Sequence, residues 1–208
     1  MMKVKVCGLR DNIEEVAALR PDLVGFIFYP ESKRYIGSKF AESLDRIPDT
    51  VKKVGVFVNE ALEKVVTKVA EYHLDYVQLH GDESIDYCSK LVKSMNVGII
   101  KVFSGNCLPG IEELNTYKEL IDYYLFDTRS DAYGGTGQKF DWSALKDLKL
   151  SKPIILSGGI GLEDLKSISN SGLNVFAVDV NSKFEIKPGL KDTQLIRTLI
   201  ENRNEIYS

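Results

Sequence analysis

Cys7 and Asp127 are the residues of this sequence best placed to do chemistry, each being the first reactive side chain at the end of an apolar, strand-like run. Lys3 to Cys7 forms one run and Tyr124 to Phe126 leads into the other. A thiol and a carboxyl on opposite sides of one cleft can act as base and acid on a ligand held between them. Each also has an ordinary structural use, the cysteine as a small buried hydrophobe and the aspartate as a loop or helix cap. The segment after Asp127 is long and polar, and Gly134, Gly135 and Gly137 around Thr136 give it the backbone freedom that a ligand-covering loop needs. Phe140, Asp141 and Trp142 close it, with Asp141 or Ser143 available to cap the next helix.

Two further stretches suit an anion. Ser157-Gly158-Gly159-Ile160 follows a buried run and precedes a helical one, so its amides can approach a phosphate and add the positive end of a helix dipole. Two adjacent glycines also simply make a tight turn. Asp179-Val180-Asn181-Ser182-Lys183 supplies hydroxyl, amide and ammonium donors from the next unit, and the two stretches together point to a phosphorylated ligand. His80 either orients a ligand or bonds a neighbouring carbonyl. Arg34, beside Lys33, is either part of a solvated loop pair or a bidentate clamp for a second anionic group.

The elements that must position these residues repeat along the chain. Apolar, β-branched runs of about five residues alternate with helix-period segments through roughly eight cycles, the pattern of a parallel sheet with crossover helices. The strands read as Lys3 to Cys7, Leu23 to Tyr29, Val54 to Val58, Tyr76 to Leu79, Ile99 to Phe103, Tyr124 to Phe126, Pro153 to Leu156 and Val175 to Val180. Helices are expected after each, including a short one around Phe40 to Arg46, an amphipathic one through Leu62, Val65, Val66, Val69 and Ala70, and one from Leu162 to Ser171 stopped by Gly172. Their caps read as Asp11 with Glu14, Asn59, Ser84 and Asp192. Eight βα units in about 200 residues predict a compact α/β (β/α)8 TIM barrel spanning residues 1–208 as one domain. Closure brings every strand end to one rim, where Cys7 and Asp127 face each other across the mouth.

Composition narrows the class. With 44% hydrophobic and 27% charged residues the chain can bury a core, which argues against disorder. A net charge of -3, spread without blocks, argues against nucleic acid or an anionic membrane as partner. The N-terminus lacks a signal-peptide core and no apolar run nears the roughly 18 residues of a membrane span, so a cytoplasmic location is expected. Three scattered cysteines without a CxxC pair, and only two histidines, argue against a disulfide framework and a metal centre. Phe184 reads as an exposed apolar loop residue able to serve a dimer, leaving monomer or homodimer as the expected assembly.

The ordered series KVCGLR (Lys5 to Arg10), FYPESKRYI (Phe28 to Ile36), VGVFVN, VQLHG, FDT, GGTGQKFDW, LSGGI, AVDVNS and KPGLKD runs the length of the chain. It closely resembles the phosphoribosylanthranilate isomerase family of tryptophan biosynthesis. The resemblance implies a TIM barrel of the ribulose-phosphate-binding type. It also implies an Amadori rearrangement of N-(5-phosphoribosyl)anthranilate to 1-(o-carboxyphenylamino)-1-deoxyribulose 5-phosphate, without cofactor or metal. Carried over by position, Cys7 matches the general base, Asp127 the general acid, Arg34 the holder of the anthranilate carboxylate, and the seventh and eighth loops the phosphate site. An acid that opens the ribose ring must be protonated at that moment, which requires partial desolvation. A base thiol must reach its thiolate from an ordinary pKa of about 8.5, which requires nearby positive charge.

One stretch departs from the family. Members commonly read Ser-Gly-Val-Glu after the eighth strand, where this chain has Ser182-Lys183-Phe184-Glu185. The change puts a Cβ where the backbone approaches phosphate and offers the charge of Lys183 in compensation. Other readings are a different phosphosugar barrel or a non-catalytic phosphosugar binder. The aminoaldose isomerase of histidine biosynthesis would want aspartates at strands one and five, which end in Cys7 and Phe103-Ser104. The indole-forming synthase would want a lysine and glutamate set that Lys101 alone does not supply.

Overall fold

The strands β1 (Lys3–Cys7), β2 (Leu23–Ile27), β3 (Lys52–Phe57), β4 (Tyr76–Leu79), β5 (Gly98–Ser104), β6 (Tyr123–Asp127), β7 (Ile154–Leu156) and β8 (Val175–Val180) pair in chain order. All pairs are parallel, and β8 returns to β1 to close the barrel, with Lys5 beside Asp179. The structure, a computed structural model, describes residues 1–37, 44–105, 107–127 and 142–206. The glycine loop through Gly134, Gly135, Thr136 and Gly137, the closing residues Phe140 and Asp141, and most of the helix expected around Phe40 to Arg46 lie outside the described residues.

Crossovers are made by α1 (Ile13–Ala18), α2 (Leu62–Tyr72), α3 (Ile85–Ser94), α4 (Ile111–Tyr117), a 3-10 helix (Trp142–Leu148) and α5 (Leu165–Ser169), and α6 (Thr193–Ile206) closes the chain. Alternation along each strand sorts its side chains into two cores. Leu23, Val54, Ile100, Leu125, Ile155 and Ala177 fill the barrel interior. Val4, Val6, Phe26, Leu79, Phe126, Leu156, Val178 and Val180 face outward, into the core shared with the helices. No helix among the described residues is long and apolar enough to cross a membrane.

The bottom rim is stitched by aspartates. Asp22, Asp75 and Asp122 stand directly before β2, β4 and β6, and their carboxylates accept the amides of Val4, Lys53 and Ile99 at 2.9, 2.8 and 2.8 Å. The backbone carbonyls of Asp22 and Asp75 accept the amides of Lys52 and Gly98 from the strand on the other side. Asp22 also binds Lys3 and, at 2.8 Å, Arg203 of α6.

Several local expectations are corrected. The cap of α1 is Asn12 rather than Asp11, and its side chain bonds both backbone groups of Lys191. Asn59 does not cap α2, which starts after Ala61; its carbonyl oxygen accepts the Asp82 amide instead. Ser84 and Asp192 do cap, accepting amides at Tyr87 and at Gln194 and Leu195. The helix expected from Leu162 to Ser171 divides into a 3-10 turn (Leu162–Asp164) and the short α5. After β8 the chain adds a 3-10 turn (Ser182–Phe184) and a hairpin of β9 (Glu185–Lys187) and β10 (Leu190–Lys191) that the periodicity did not suggest. Phe184 is buried, at 2% exposure, so it offers no dimer contact.

Candidate active site

The upper barrel interior exchanges apolar side chains for polar ones. Lys5 and Cys7 on β1, Gln78 on β4, Asp127 on β6 and Asp179 on β8 are all buried. Cys7, Gln78, Asp127 and Asp179 line one cavity at the C-terminal mouth, with His80 and Arg34, the turn Ser157 to Ile160, and Asn181 to Lys183. Cys7, Arg34, His80, Asp127, Gly158, Gly159, Asp179 and Asn181 to Lys183, all singled out in the sequence, therefore meet at a single place. Cys7 is the last residue of β1 and Asp127 the last of β6, so they approach the cavity from different sides of the wall.

His80 follows β4, and its Nε2 lies 3.5 Å from Asp127 Oδ2. On its other side Nδ1 is 3.1 Å from the Gln78 amide nitrogen. The ring is thus held between two side chains and, among the described residues, bonds no carbonyl. Among the described residues Gln78 Oε1 is buried without a partner, and Gln78 lines the same cavity.

Arg34 is fixed from within the protein. Its Nε lies 2.9 and 3.0 Å from the two Glu185 oxygens, and Nη2 is 2.7 Å from one of them. Among the described residues nothing pairs with Nη1; the guanidinium is held by Glu185 rather than solvated as a loop charge, and Arg34 lines the cavity. Glu185 also accepts Lys191 Nζ at 2.8 Å. Burial works to raise the Glu185 pKa, but Arg34 and Lys191 outweigh it and hold the carboxyl below its ordinary value. Lys191, itself buried, also reaches Asn181 Oδ1 at 2.8 Å, joining loop eight to the same network. Burial pushes its ammonium pKa down.

Gly8 makes this assembly possible. It has φ +73, and a Cβ there would stand 2.7 Å from Arg34 Cδ and 2.9 Å from Asn181 Oδ1. In loop seven Gly158 and Gly159 take φ +92 and +77, a left-handed pair that lines the cavity. The expected helix dipole is weak, because the element that follows is a 3-10 turn and a helix of five residues. Lys183 lines the cavity beside this turn, with its Nζ 2.9 Å from Glu163.

Lys5 Nζ and Asp179 Oδ1 form a 2.9 Å pair inside the barrel, both side chains buried. Burial opposes the Lys5 charge, but Asp179 and the neighbouring thiol more than compensate and keep its pKa above the ordinary value. Burial raises the Cys7 thiol, with Lys5 the first charge to oppose it. Sequence reasoning missed Lys5, Gln78, Glu185 and Lys191. For Lys5 a signal existed, since the alternation of KVKVC puts it on the face of Cys7.

A family model for N-(5′-phosphoribosyl)anthranilate isomerase matches residues 4–202. The chain belongs to this isomerase family. The N-(5′-phosphoribosyl)anthranilate isomerase of Parabacteroides distasonis is 44% identical over 205 residues, covering 96% of this chain and 92% of its own. The crystal structure of phosphoribosyl anthranilate isomerase from Thermotoga maritima superposes with a TM-score of 0.83 at 35% identity, over 99% of this chain and 100% of that one. A further phosphoribosyl anthranilate isomerase, solved in complex with reduced 1-(o-carboxyphenylamino)-1-deoxyribulose 5-phosphate, gives 0.80 at 33% identity over 99% and 100%. The family's activity, and that of this chain, is the aldose–ketose isomerisation of N-(5′-phosphoribosyl)anthranilate in tryptophan biosynthesis.

Proposed function

We propose that the chain runs this Amadori rearrangement with Cys7 as general base and Asp127 as general acid. Asp127 gives its proton to the ribose ring oxygen, the C1′–O bond breaks, and the anthranilate nitrogen lone pair forms the protonated Schiff base. That cation acidifies C2′–H. The Cys7 thiolate takes this proton, and the electron pair moves into the C1′–C2′ bond to give an enolamine. The enolamine gains a proton at C1′ and loses one from O2′, which leaves the ketone. Arg34 Nη1 holds the anthranilate carboxylate, and the turn Ser157 to Ile160 with Asn181, Ser182 and Lys183 holds the phosphate.

The observation that carries the reading is that a buried thiol and a buried carboxyl line the same cavity as a guanidinium held by Glu185 and a left-handed glycine pair. We read residues 1–208 as a single barrel domain that acts in the cytoplasm on a phosphorylated small molecule, as a monomer or homodimer. The test is the loss of anthranilate fluorescence when phosphoribosylanthranilate, generated in situ, meets the protein. Cys7→Ser and Asp127→Asn should each lower kcat by about 10²–10⁴, and full turnover in either variant overturns that residue's role.

A further inference from the structure

Lys5 is an unexpected residue for its position. In the register it stands between Leu23 on β2 and Asp179 on β8, and apart from the polar residues at the cavity the barrel interior is filled by Leu23, Val54, Ile100, Leu125, Ile155 and Ala177. A buried ion pair is often no more stabilising than the apolar groups that could replace it, so the fold alone gives little reason for an ammonium here. Its surroundings supply one. Lys5 and Cys7 are two residues apart on β1 and point to the same side. Beside them in the register is Gly25, where a Cβ would lie 2.9 Å from Cys7 Sγ and 3.2 Å from Lys5 Nζ. The thiol and the ammonium therefore share the space that any larger residue at that position would occupy.

We propose that Lys5 is the positioning residue for Cys7, its ammonium anchored by Asp179 and lying against Sγ as countercharge to the thiolate. The role rests on reading Cys7 as the base. When the thiolate takes the C2′ proton it becomes a neutral thiol, while Lys5 stays protonated throughout. An ammonium has three N–H donors, so one can serve Asp179 and another the sulfur. The charged groups facing Cys7 are Lys5 on its own strand, Asp179 on β8, which disfavours the thiolate, and Lys191 on β10, which favours it. Of these cations Lys5 acts most strongly on the thiol, and burial is the effect it opposes.

The test compares Lys5→Met, Lys5→Arg and the double variant Lys5→Met/Asp179→Asn, each beside its Cys7→Ser counterpart. The difference in ultraviolet thiolate absorbance within each pair isolates the Cys7 titration. Lys5→Met should move the midpoint up by about one pH unit or more, a factor of about ten in thiolate at fixed pH. Its kcat at neutral pH should fall by at least that factor with little change in KM, and recover as pH rises. Lys5→Arg should restore most of both. The double variant, which removes the pair without leaving a buried charge unpaired, should keep the raised midpoint. A midpoint unmoved by Lys5→Met overturns the proposal. So does a double variant with the original midpoint and kcat, since Lys5 would then serve only to neutralise Asp179. Undiminished turnover in Cys7→Ser overturns instead the assignment of the base, independently of where the thiol titrates.

Discussion

Arg34 and Glu185 stand far apart in the chain yet form a two-pronged ion pair at the cavity wall, with the glutamate gripping Nε and Nη2 and, among the described residues, nothing bonded to Nη1. The clamp proposed for the substrate carboxylate is thus already half occupied, by a group that sets its angle. A guanidinium so held loses little rotamer freedom when a ligand arrives.

Glu185→Gln keeps the shape and removes the charge that orients Arg34 and pairs with Lys191. Steady-state kinetics should show KM up by about tenfold with kcat within a few-fold, the size of one charge-assisted hydrogen bond. An unchanged KM would show that Arg34 needs no such support.

Gly8→Ala should damage the site more than the fold. The methyl group would meet Arg34 Cδ and Asn181 Oδ1 at less than contact distance, in a backbone conformation that already disfavours a side chain. Thermal unfolding should show a loss of about 1–3 kcal/mol, while kcat/KM falls by about a hundredfold or more. A variant with full activity would show that Arg34 can move aside without cost.

Asp22→Asn tests the bottom rim. The carboxylate accepts the Val4 amide and pairs with Lys3 and Arg203, and although burial works against it, these partners hold its pKa below the ordinary value. Stability from a lowered carboxyl pKa is fully present above the unfolded-state value of about 3.9 and is lost as pH falls through the folded one. Denaturant unfolding at neutral pH should therefore find the variant weaker by about 1–3 kcal/mol, and the gap should narrow below about pH 4. A gap independent of pH would contradict an ionic origin.

Lys183→Met separates surface pairing from ligand binding. The contact with Glu163 is exposed and worth at most about 1 kcal/mol to the fold. If the ammonium reaches a bound phosphate, inhibition by inorganic phosphate should weaken by about three- to tenfold in the variant. Equal inhibition would assign the anion end to the glycine turn and Ser182 alone.

The barrel was legible because its strands are short apolar runs that end abruptly in glycine or polar residues. β1, β4 and β8 have the bounds read from the sequence. Caps were legible where both partners are local, as at Ser84 and Asp192. They were misread where another group competes for the same atom. Asn59 is taken by the Asp82 amide, and Asp11, read as the cap of α1, is taken by the Arg10 guanidinium while Asn12 holds the cap position. Distance in sequence hid the inner support of the site. Cys7, Asp127 and Arg34 lie in motifs that announce themselves, whereas the work of Glu185 and Lys191 consists of contacts that exist only after the hairpin folds over the mouth.

The aspartates of the bottom rim have a consequence for how such a wall can be divided. Asp22, Asp75 and Asp122 tie β1 to β2, β3 to β4 and β5 to β6 through their side chains. A pair of strands with one aspartate is then the smallest piece that carries its own clasp. A chain cut between pairs keeps all three clasps whole, and a cut within a pair breaks one. The backbone closes the barrel as a ring, and these three side chains fasten six of its strands in twos.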